Sequence, residues 1–461
     1  MKKVLLIDFG STYTKVTAVD VEKEKLLGSA LSFTTIKTDI NEGLNNAINL
    51  LEKQSGKLNY DEYLACSSAA GGLKMIVSGL VEKVTAEAAK QASLGAGAKV
   101  IKVYSYEMSS EDIEEIDDIK PEIFLLAGGT NGGDKKCILH NSKMLCKCKS
   151  DFPIIIAGNK EVSSKCKQIL ENKETYIVEN VMPQYGELNI EPAQKQIREI
   201  FLKQIIYAKG ITRASKLISG IIMPTPSAMM KAMELLTTGY GKEKGIGELL
   251  AIDLGGATTD VYSIADGFPK EANVIYKGLK EPYIKRTVEG DIGMRYSIDG
   301  IAEEVGIKEI SELSHLSEDR IKELINNLYN NPDILPGENE EIMALDNILA
   351  SKAIEVATIR HAGSIEKIYT STGMAYLQKG KDLREIKQIV VTGGSIIHMP
   401  STKEITSYAM YNDEKAESLR PIKADILVDK KYILAAMGLL SQSYPEIAIR
   451  IMKKELKYNG N

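Results

Sequence analysis

The sequence contains no tryptophan and only 6 phenylalanines in 461 residues, so we expect no aromatic platform on which nucleic-acid bases stack. The 58 lysines and arginines are outnumbered by 63 acidic residues, which gives a formal net charge of −5. Binding of nucleic acid needs clustered cations that neutralise phosphates. The composition therefore argues against nucleic acid as a partner.

Cysteine and long apolar runs are also scarce. The 5 cysteines, an odd number in a long chain, do not indicate a disulfide framework. Cys137, Cys146, Cys148 and Cys166 lack the Cys-x2-Cys spacing of structural zinc sites, so we predict reduced thiols there. No apolar stretch approaches the ~18 residues that span a membrane, and Asp8 interrupts the apolar run near the N-terminus. We therefore expect no membrane segment and a cytoplasmic location.

Predicted strands and helices alternate along most of the chain, which favours an α/β fold with a largely parallel sheet. The predicted strands are Val4–Phe9, Tyr13–Asp20, Lys25–Phe33, Val100–Tyr106, Glu122–Ala127, Pro153–Ala157, Thr175–Val178, Leu249–Leu254, Val261–Ala265 and Gln388–Thr392. The predicted helices are Asn41–Lys53, Thr85–Ala98, Ser110–Ile119, Ala193–Tyr207, Ala228–Leu236, Gly293–Val305, Asp319–Tyr329, Ile342–His361 and Tyr432–Tyr444.

Two glycine-containing segments recur in the same order in each half of the chain. The segment that begins at Asp8 matches the one that begins at Asp253, and Leu125–Thr130 matches Val390–Ser395. Each segment follows a predicted buried strand. The pattern predicts a duplicated α/β domain with a cleft between the copies, rather than a short solenoid repeat.

The two hairpins, Asp8–Val16 and Asp253–Val261, carry residues that suit phosphate binding. Backbone N–H groups near glycines, together with hydroxyl side chains, can hold phosphate oxygens. Carboxylates repel phosphate, so we predict that Asp8 and Asp253 act through a hydrated Mg²⁺. Asp8 and Asp260 are the candidate catalytic residues that orient an attacking water. The candidate phosphate-binding residues are Gly10, Ser11, Thr12, Lys15, Gly255, Gly256, Thr258 and Thr259.

An ordinary β-turn is the alternative interpretation of either hairpin alone, because Asp and Gly also favour turns. A Walker-type loop, Gly-x4-Gly-Lys-Ser/Thr, is absent from the sequence.

These motifs resemble those of the superfamily of ATPases that contains actin, the Hsp70 chaperones and the sugar kinases. The adenosine motif of that superfamily is similar to Val390–Ser395, which implies that Gly393, Gly394 and Ser395 contact the adenosine. The resemblance implies two RNase-H-like domains with ATP or ADP and Mg²⁺ in the cleft between them. We expect the first domain, with an insertion, at 1–212 and the second at 213–461, whose helix near 432–444 crosses back to the first.

A narrower resemblance is to the MutL/GlmL family, which is associated with adenosylcobalamin-dependent glutamate mutase and related aminomutases. It rests on Leu126–Gly133, Asn180–Pro183, Ile252–Asp260 and Val288–Met294. The family implies an ATP-driven, chaperone-like reactivating factor whose partners are subunits of the mutase. The loop Gly128–Gly133 departs from the actin-like pattern, and we interpret it as symmetry with Gly393–Gly394 rather than as a second ligand contact.

Two other functions stay open on this fold, a small-metabolite kinase and a nucleotide-binding structural or filament protein. Sugar kinases carry a catalytic Asp in a Gly-Asp pair before the second phosphate motif. Asp291 follows that motif here, so the order argues against a kinase. Asp291 stays a candidate for a contact in the cleft, at the start of the helix predicted at Gly293–Val305.

Overall fold

The computed structural model describes residues 2–10, 13–34, 40–68, 73–208, 221–334, 339–371, 373–397 and 399–456. The strands are β1 (Lys3–Phe9), β2 (Tyr13–Asp20), β3 (Lys25–Phe33), β4 (Glu62–Ser67), β5 (Lys74–Gly79), β6 (Lys99–Ser105), β7 (Ile123–Leu126), β8 (Ile154–Ile156), β9 (Thr175–Ile177), β10 (Ile221–Pro224), β11 (Gly239–Tyr240), β12 (Glu243–Lys244), β13 (Leu249–Leu254), β14 (Thr259–Ile264), β15 (Val274–Tyr276), β16 (Ile284–Glu289), β17 (Ser364–Thr370), β18 (Gly373–Lys379), β19 (Gln388–Thr392) and β20 (Asp425–Val428).

The α-helices are α1 (Ile40–Ser55), α2 (Glu87–Gly95), α3 (Ser110–Ile119), α4 (Lys136–Leu145), α5 (Ser163–Ile169), α6 (Glu191–Ala208), α7 (Thr225–Thr238), α8 (Ile298–Val305), α9 (Ile307–Ser314), α10 (Glu318–Asn330), α11 (Glu340–His361), α12 (Gly394–Ile397), α13 (Thr402–Ser407), α14 (Leu434–Leu440) and α15 (Pro445–Glu455). Among the described helices, none is both long and apolar enough to cross a membrane.

One five-stranded sheet occurs twice. Its order is β3-β2-β1-β4-β10 in the first copy and β16-β14-β13-β19-β20 in the second. In both copies the first two strands form an antiparallel hairpin, and the first, fourth and fifth strands run parallel. Both orders are 3-2-1-4-5 when the strands of each sheet are counted along the chain. This confirms the predicted fold class, a duplicated RNase-H-like α/β domain of the actin-like ATPase type.

The chain divides into two units. Unit 1 comprises Met1–Glu22, Leu26–Ala228 and Gly278–Lys280, whereas unit 2 comprises Lys23–Lys25, Met229–Lys277 and Glu281–Asn461. The predicted domain boundary at 212/213 lies outside the described residues. The structural division falls within α7, between Ala228 and Met229.

The central strand of each copy is buried because its sequence is an apolar run. All of Val4–Phe9 is buried in β1, and β13 is buried except at Asp253. Such runs are typical of strands that are covered on both faces. In unit 1 the apolar face of α1, with Leu44 and Leu51, belongs to the same core cluster as Leu5 of β1.

An insertion between β4 and β10 forms a third sheet in unit 1. Its order is β6-β5-β7-β8-β9, and all neighbouring strands in it are parallel. The loop Gly128–Gly133 follows β7 of this sheet, whereas Gly393–Gly394 follows β19, whose counterpart is β4. The predicted equivalence of the two glycine loops, and with it the symmetry interpretation of Gly128–Gly133, is therefore wrong.

The C-terminal helix also differs from the prediction at Tyr432–Tyr444. The chain forms α14 over Leu434–Leu440, turns, and starts α15 at Pro445. Proline lacks an N–H group and is tolerated in the first turn of a helix but not in its interior. Pro445 therefore marks the start of a separate helix, which the sequence analysis did not predict.

Unit 2 contains a histidine, His361, whose titratable imidazole is completely buried. His361 ends α11 with 0% of its surface exposed, and its Nδ1 lies 2.8 Å from the Thr287 hydroxyl. Its Nε2 has no hydrogen-bond partner among the described residues. Burial, followed by the positive charges of Lys285 and Lys381, lowers the pKa of His361 well below its usual value.

Replacing His361 by Asn should reduce the loss of stability in acid. Below pH ~6.5 the unfolded chain binds a proton at this imidazole and the folded chain does not, so acid favours unfolding. Between pH ~7.5 and ~5.5 we expect wild type to lose more free energy of unfolding than His361→Asn, by up to ~1.4 kcal/mol for each pH unit below ~6.5. Urea unfolding at both pH values measures the difference. An identical pH dependence in the two proteins would contradict this account.

Candidate functional site

The two predicted phosphate hairpins occupy the same register in the two copies of the sheet. Asp8 pairs with Lys15 across β1 and β2, and Asp253 pairs with Asp260 across β13 and β14. The structure thus makes Asp8 the counterpart of Asp253. Lys15 and Asp260 are counterparts as well, so the two hairpins differ in charge at one equivalent position.

Each hairpin has a glycine at its turn. A side chain at that position would require the backbone around it to shift. The N–H of Gly10 donates to the Tyr13 carbonyl at 3.1 Å, and the N–H of Gly255 donates to the Thr258 carbonyl at 3.0 Å. A β-carbon would lie 2.5 Å from the Tyr13 oxygen at Gly10 and 2.9 Å from the Thr258 oxygen at Gly255. Ser11 and Thr12, between Gly10 and Tyr13, lie outside the described residues.

The carboxylate of Asp8 is held by side chains from the neighbouring strand ends. Its Oδ1 accepts a hydrogen bond from the Thr225 hydroxyl at 2.6 Å and one from the Cys66 thiol at 3.5 Å. Its Oδ2 lies 3.8 Å from the Lys15 ammonium. Burial, followed by the charge of Asp8, raises the pKa of Cys66 well above its usual value, so the thiol stays a donor. Sequence patterns missed Cys66 and Thr225, because neither belongs to a recognisable motif.

Asp260 in unit 2 is bound more completely than Asp8. Its Oδ1 accepts a hydrogen bond from the Nε of Arg286 at 2.8 Å and forms an ion pair of 2.6 Å with Nη2 of the same residue. Its Oδ2 accepts from the Thr258 hydroxyl at 3.2 Å. Arg286 comes from β16 and is buried. The predicted catalytic carboxylate therefore has both oxygens engaged within its own unit.

The turn Gly293–Ser297, which we call the clamp, donates hydrogen bonds to carbonyl groups of the second hairpin. We call residues 255–258 of that hairpin the phosphate loop, after the prediction made for it. The N–H groups of Met294 and Arg295 donate to Gly255 and Gly256 at 3.1 and 2.8 Å, respectively. The Ser297 hydroxyl donates to the Ala257 carbonyl at 2.7 Å. These residues were predicted to begin a helix at Gly293, but α8 begins at Ile298.

The clamp orients three consecutive amides of the phosphate loop. In a trans peptide the carbonyl and the following N–H point in opposite directions. Since the carbonyls of residues 255–257 point to the clamp, the N–H groups of Gly256, Ala257 and Thr258 point away from it. Among the described residues none accepts a hydrogen bond from these three amides. Such a row of donors is an anion-binding arrangement.

A buried ion pair anchors the clamp in the core of unit 2. The guanidinium of Arg295 donates to both carboxylate oxygens of Asp346 on α11, each at 2.9 Å. It also donates to the carbonyls of Met294 and Ile334 at 2.6 and 2.9 Å. Arg295 is 6% and Asp346 0% exposed. A lone arginine has no sequence signature, which is why the prediction missed it.

Asp291, which opens the segment Asp291–Ser297, does not join this site. Its side chain is 67% exposed and lies 3.7 Å from Arg360. The hydroxyl of Thr259, which was predicted to bind phosphate, is buried and donates to the Ile292 carbonyl at 2.9 Å. Thr259 therefore fastens the loop to the residue before the clamp.

The predicted adenosine motif forms a tight turn next to the second phosphate loop. Gly393 has φ 114°, and a β-carbon there would lie 2.2 Å from the carbonyl oxygen of Leu254. Gly394 begins α12 and is exposed, and Ser395 is half-buried. The turn thus lies against the residue that precedes Gly255.

The loop Gly128–Gly133 of the insertion is fastened by asparagines. The Asn180 side chain donates to the Gly129 carbonyl at 2.9 Å, and the Asn159 side chain donates to the Gly133 carbonyl at 3.2 Å. Both asparagines are buried. Their bonds join the loops at the carboxyl edge of the third sheet.

Direct metal ligation is a separate question from phosphate binding. Within the described ranges no group of three or more His, Cys, Asp or Glu side chains is arranged to hold a metal ion. The five cysteines, Cys137, Cys146, Cys148 and Cys166 among them, form no disulfide.

The chain was compared with known families, curated proteins and solved structures. The family described as MutL protein matches residues 4–456. Protein MutL of Clostridium tetanomorphum is 47% identical over 461 residues, which cover 99% of each chain. A nucleotide-free diol dehydratase-reactivating factor is 13% identical with a TM-score of 0.37, covering 96% of this chain and 100% of that one. Glycerol kinase of Plasmodium falciparum with ADP is 10% identical with a TM-score of 0.35, covering 99% and 92%.

Removal of the carboxylate that anchors the clamp should destabilise the protein strongly. Asp346→Ala leaves the Arg295 guanidinium buried without a counter-charge, which typically costs about 3–5 kcal/mol. The matched control is Glu312→Ala, whose 4.0 Å pair with Lys308 is exposed and should change stability by less than ~1 kcal/mol. Urea unfolding of the full chain measures both values. Equal effects of the two substitutions would contradict the anchoring role of Asp346.

Proposed function

This chain belongs to the MutL protein family, and on that premise we propose that it is an ATP-hydrolysing reactivating factor. In this proposal it acts in the cytoplasm on an adenosylcobalamin-dependent aminomutase of the glutamate mutase type. The nucleotide is ATP before hydrolysis and ADP after it. Family membership and the phosphate loop of unit 2 support the proposal independently of each other.

The observation that carries the proposal is the row of amides from Gly256 to Thr258. The clamp turns the carbonyls of this loop inward, and the N–H groups on the opposite side lack acceptors among the described residues. Phosphate oxygens supply such acceptors without any rearrangement of the loop. The half-buried Lys15 offers a positive charge beside Asp8 in the equivalent hairpin of unit 1.

Mg²⁺ suits the carboxylates of the two hairpins. It prefers oxygen ligands and keeps several waters, so Asp8 and Asp253 would each hold it through water. When bound, the ion neutralises charge on the phosphates. The chain itself fixes the Asp8 carboxylate through Thr225 and Cys66.

Asp8 is the better of the two candidates for orienting the attacking water. Both oxygens of Asp260 already accept hydrogen bonds from Arg286 and Thr258. Asp8 has Oδ1 engaged, whereas among the residues that the structure describes its Oδ2 contacts Lys15 alone, at 3.8 Å. We propose that Asp8 positions the water and that Asp260 maintains the shape of the second loop.

Isosteric substitution of the two aspartates should separate these roles. We expect Asp8→Asn to lower the turnover of MgATP by ~10²-fold or more, because a group that assists proton transfer contributes about that factor. Asp260→Asn should lower it less, since it removes a charge that faces Arg286. Asp291→Asn, an exposed control outside the loops, should leave turnover unchanged. Phosphate release at saturating MgATP is the measurement, and wild-type turnover in both loop variants would refute the site.

Reactivation of an inhibited mutase tests the partner. Glutamate mutase is first inactivated with cyanocobalamin and then incubated with adenosylcobalamin, MgATP and this protein. We expect mutase activity to return with wild type and not with Asp8→Asn or with ATP omitted. Free phosphate without a phosphorylated metabolite separates this function from a kinase, and light scattering with ATP reports filament assembly. No recovery of activity with wild type would exclude this partner.

A further inference from the structure

The third sheet of unit 1 contains a place where the chain reverses the direction in which it adds strands. The order β6-β5-β7-β8-β9 is 2-1-3-4-5 when the strands are counted along the chain. The helix after β5, α2, packs in the core cluster of Val77, whereas α4, which follows β7, packs with Ile76 on the other face. Parallel sheets bind ligands at such a place, beyond the carboxyl ends of the two strands. We call it the switch point, and it lies between Gly79–Leu80 and Gly128–Thr130.

The loop that follows β7 turns two N–H groups away from β8 and β9. The Gly128 carbonyl accepts from the Asn159 N–H at 3.1 Å, and the Gly129 carbonyl accepts from the Asn180 side chain at 2.9 Å. In a trans peptide the N–H that follows a carbonyl points the opposite way. The N–H groups of Gly129 and Thr130 therefore point away from the two asparagines, and β5 lies on that other side of β7. Neither N–H has an acceptor in the part of unit 1 that the structure describes.

A buried hydroxyl lies at the end of β5 without a hydrogen-bond partner. Ser78 is 0% exposed, and its Oγ contacts no donor or acceptor among the described residues. Its carbonyl accepts from the Ala127 N–H at 3.0 Å, so Ser78 lies beside the residue that precedes Gly128. Side chains alternate along a strand, so Ser78 shares the face of Ile76, which α4 covers. A buried hydroxyl of this kind is satisfied when a ligand or a water supplies its partner.

The first turn of α4 lies beside the same place. A β-carbon on Gly128 would be 3.6 Å from the Cβ of Ile138, in the first turn of α4, and 3.7 Å from the nitrogen of Leu80, which follows β5. N–H groups at the start of a helix carry partial positive charge and favour anions. The carboxylate of Asp134 uses Oδ1 to accept from the Cys137 N–H at 3.0 Å. The local field at the switch point therefore includes backbone donors from both the loop and the helix.

We propose that the switch point is a second ligand site, which binds the phosphate group of a small molecule. Its donors are the Ser78 hydroxyl and the N–H groups of Gly129 and Thr130. Donors from separate segments suit the several oxygens of a phosphate. The site belongs to the third sheet, so it does not depend on the proposed function. The loop Gly128–Gly133 then serves as a ligand contact in its own right.

Hydrogen exchange of the full chain locates the site, with inorganic phosphate as the probe. Saturating MgADP is present throughout, so that the proposed nucleotide site is filled. We expect phosphate, but not chloride at equal ionic strength, to slow exchange in residues 126–134. Slower exchange in residues 255–258 alone, in neither segment, or equally with chloride would overturn the inference. The proposed function is tested separately by ATP hydrolysis, which none of these outcomes measures.

Ser78→Ala tests the buried hydroxyl. It should weaken the affinity for phosphate, read from exchange in residues 126–134, by ~3- to 10-fold, the range for one lost neutral hydrogen bond. Without phosphate it should unfold at the wild-type temperature or above, because the hydroxyl has no partner to lose. MgATP turnover should equal that of wild type.

Ser93→Ala is the matched control. Ser93 on α2 is also 0% exposed, but its hydroxyl donates to the Ala89 carbonyl at 3.0 Å. Its phosphate affinity should therefore equal that of wild type. The same phosphate affinity in wild type, Ser78→Ala and Ser93→Ala would overturn the inference, as would an equal loss in both variants.

Discussion

The bidentate pair of Arg295 with Asp346 is the interaction on which the candidate site depends. When a loop presents its N–H groups to an anion, its carbonyl groups point to the other side and need hydrogen-bond donors there. The clamp residues donate hydrogen bonds to these carbonyl groups, and Arg295 fixes the clamp to α11 in the core of unit 2. Because both members of the pair are buried, neither can leave without exposing the charge of the other to an apolar interior. The clamp thus connects the phosphate loop to the core of unit 2.

In unit 1 the equivalent hairpin is stabilised by side-chain hydrogen bonds instead of a backbone clamp. There the side chain of Asp8 is held by Thr225 and Cys66, which come from the carboxyl ends of neighbouring strands. In unit 2 the position equivalent to Cys66 is Thr392, which donates to Asp429 at 3.3 Å. The duplicated sheet thus conserves strand order while the polar contacts at its edge differ. Unit 1 thus places an acidic side chain at this edge of the sheet, and unit 2 places a row of amides there.

The sequence predicted the parts of this arrangement that are local. The hairpins of β1 with β2 and of β13 with β14 combine apolar runs and glycine turns within a few residues, so their register follows from the pattern. β10 escaped prediction because it has four residues and ends in Pro224, and β4 because its apolar residues are confined to Tyr63–Cys66. The false match of Gly128 with Gly393 arose because a glycine pair after a buried strand is a local feature, whereas sheet membership is set by distant pairing. Arg286 and Arg295 were missed because the roles of both depend on carboxylates that are distant in the sequence, Asp260 and Asp346, respectively.

The net charge of −5 gives little information about the field at the phosphate loop. Electrostatic interactions at a site depend mostly on groups within about 10 Å, because salt largely screens exposed charges beyond that distance. Asp260 is neutralised by Arg286 and Asp346 by Arg295, so two of the acidic residues around this loop contribute little repulsion. The three outward amides add partial positive charge that no count of side chains includes. An acidic chain can therefore bind an anion, provided that its carboxylates are paired where the anion lies.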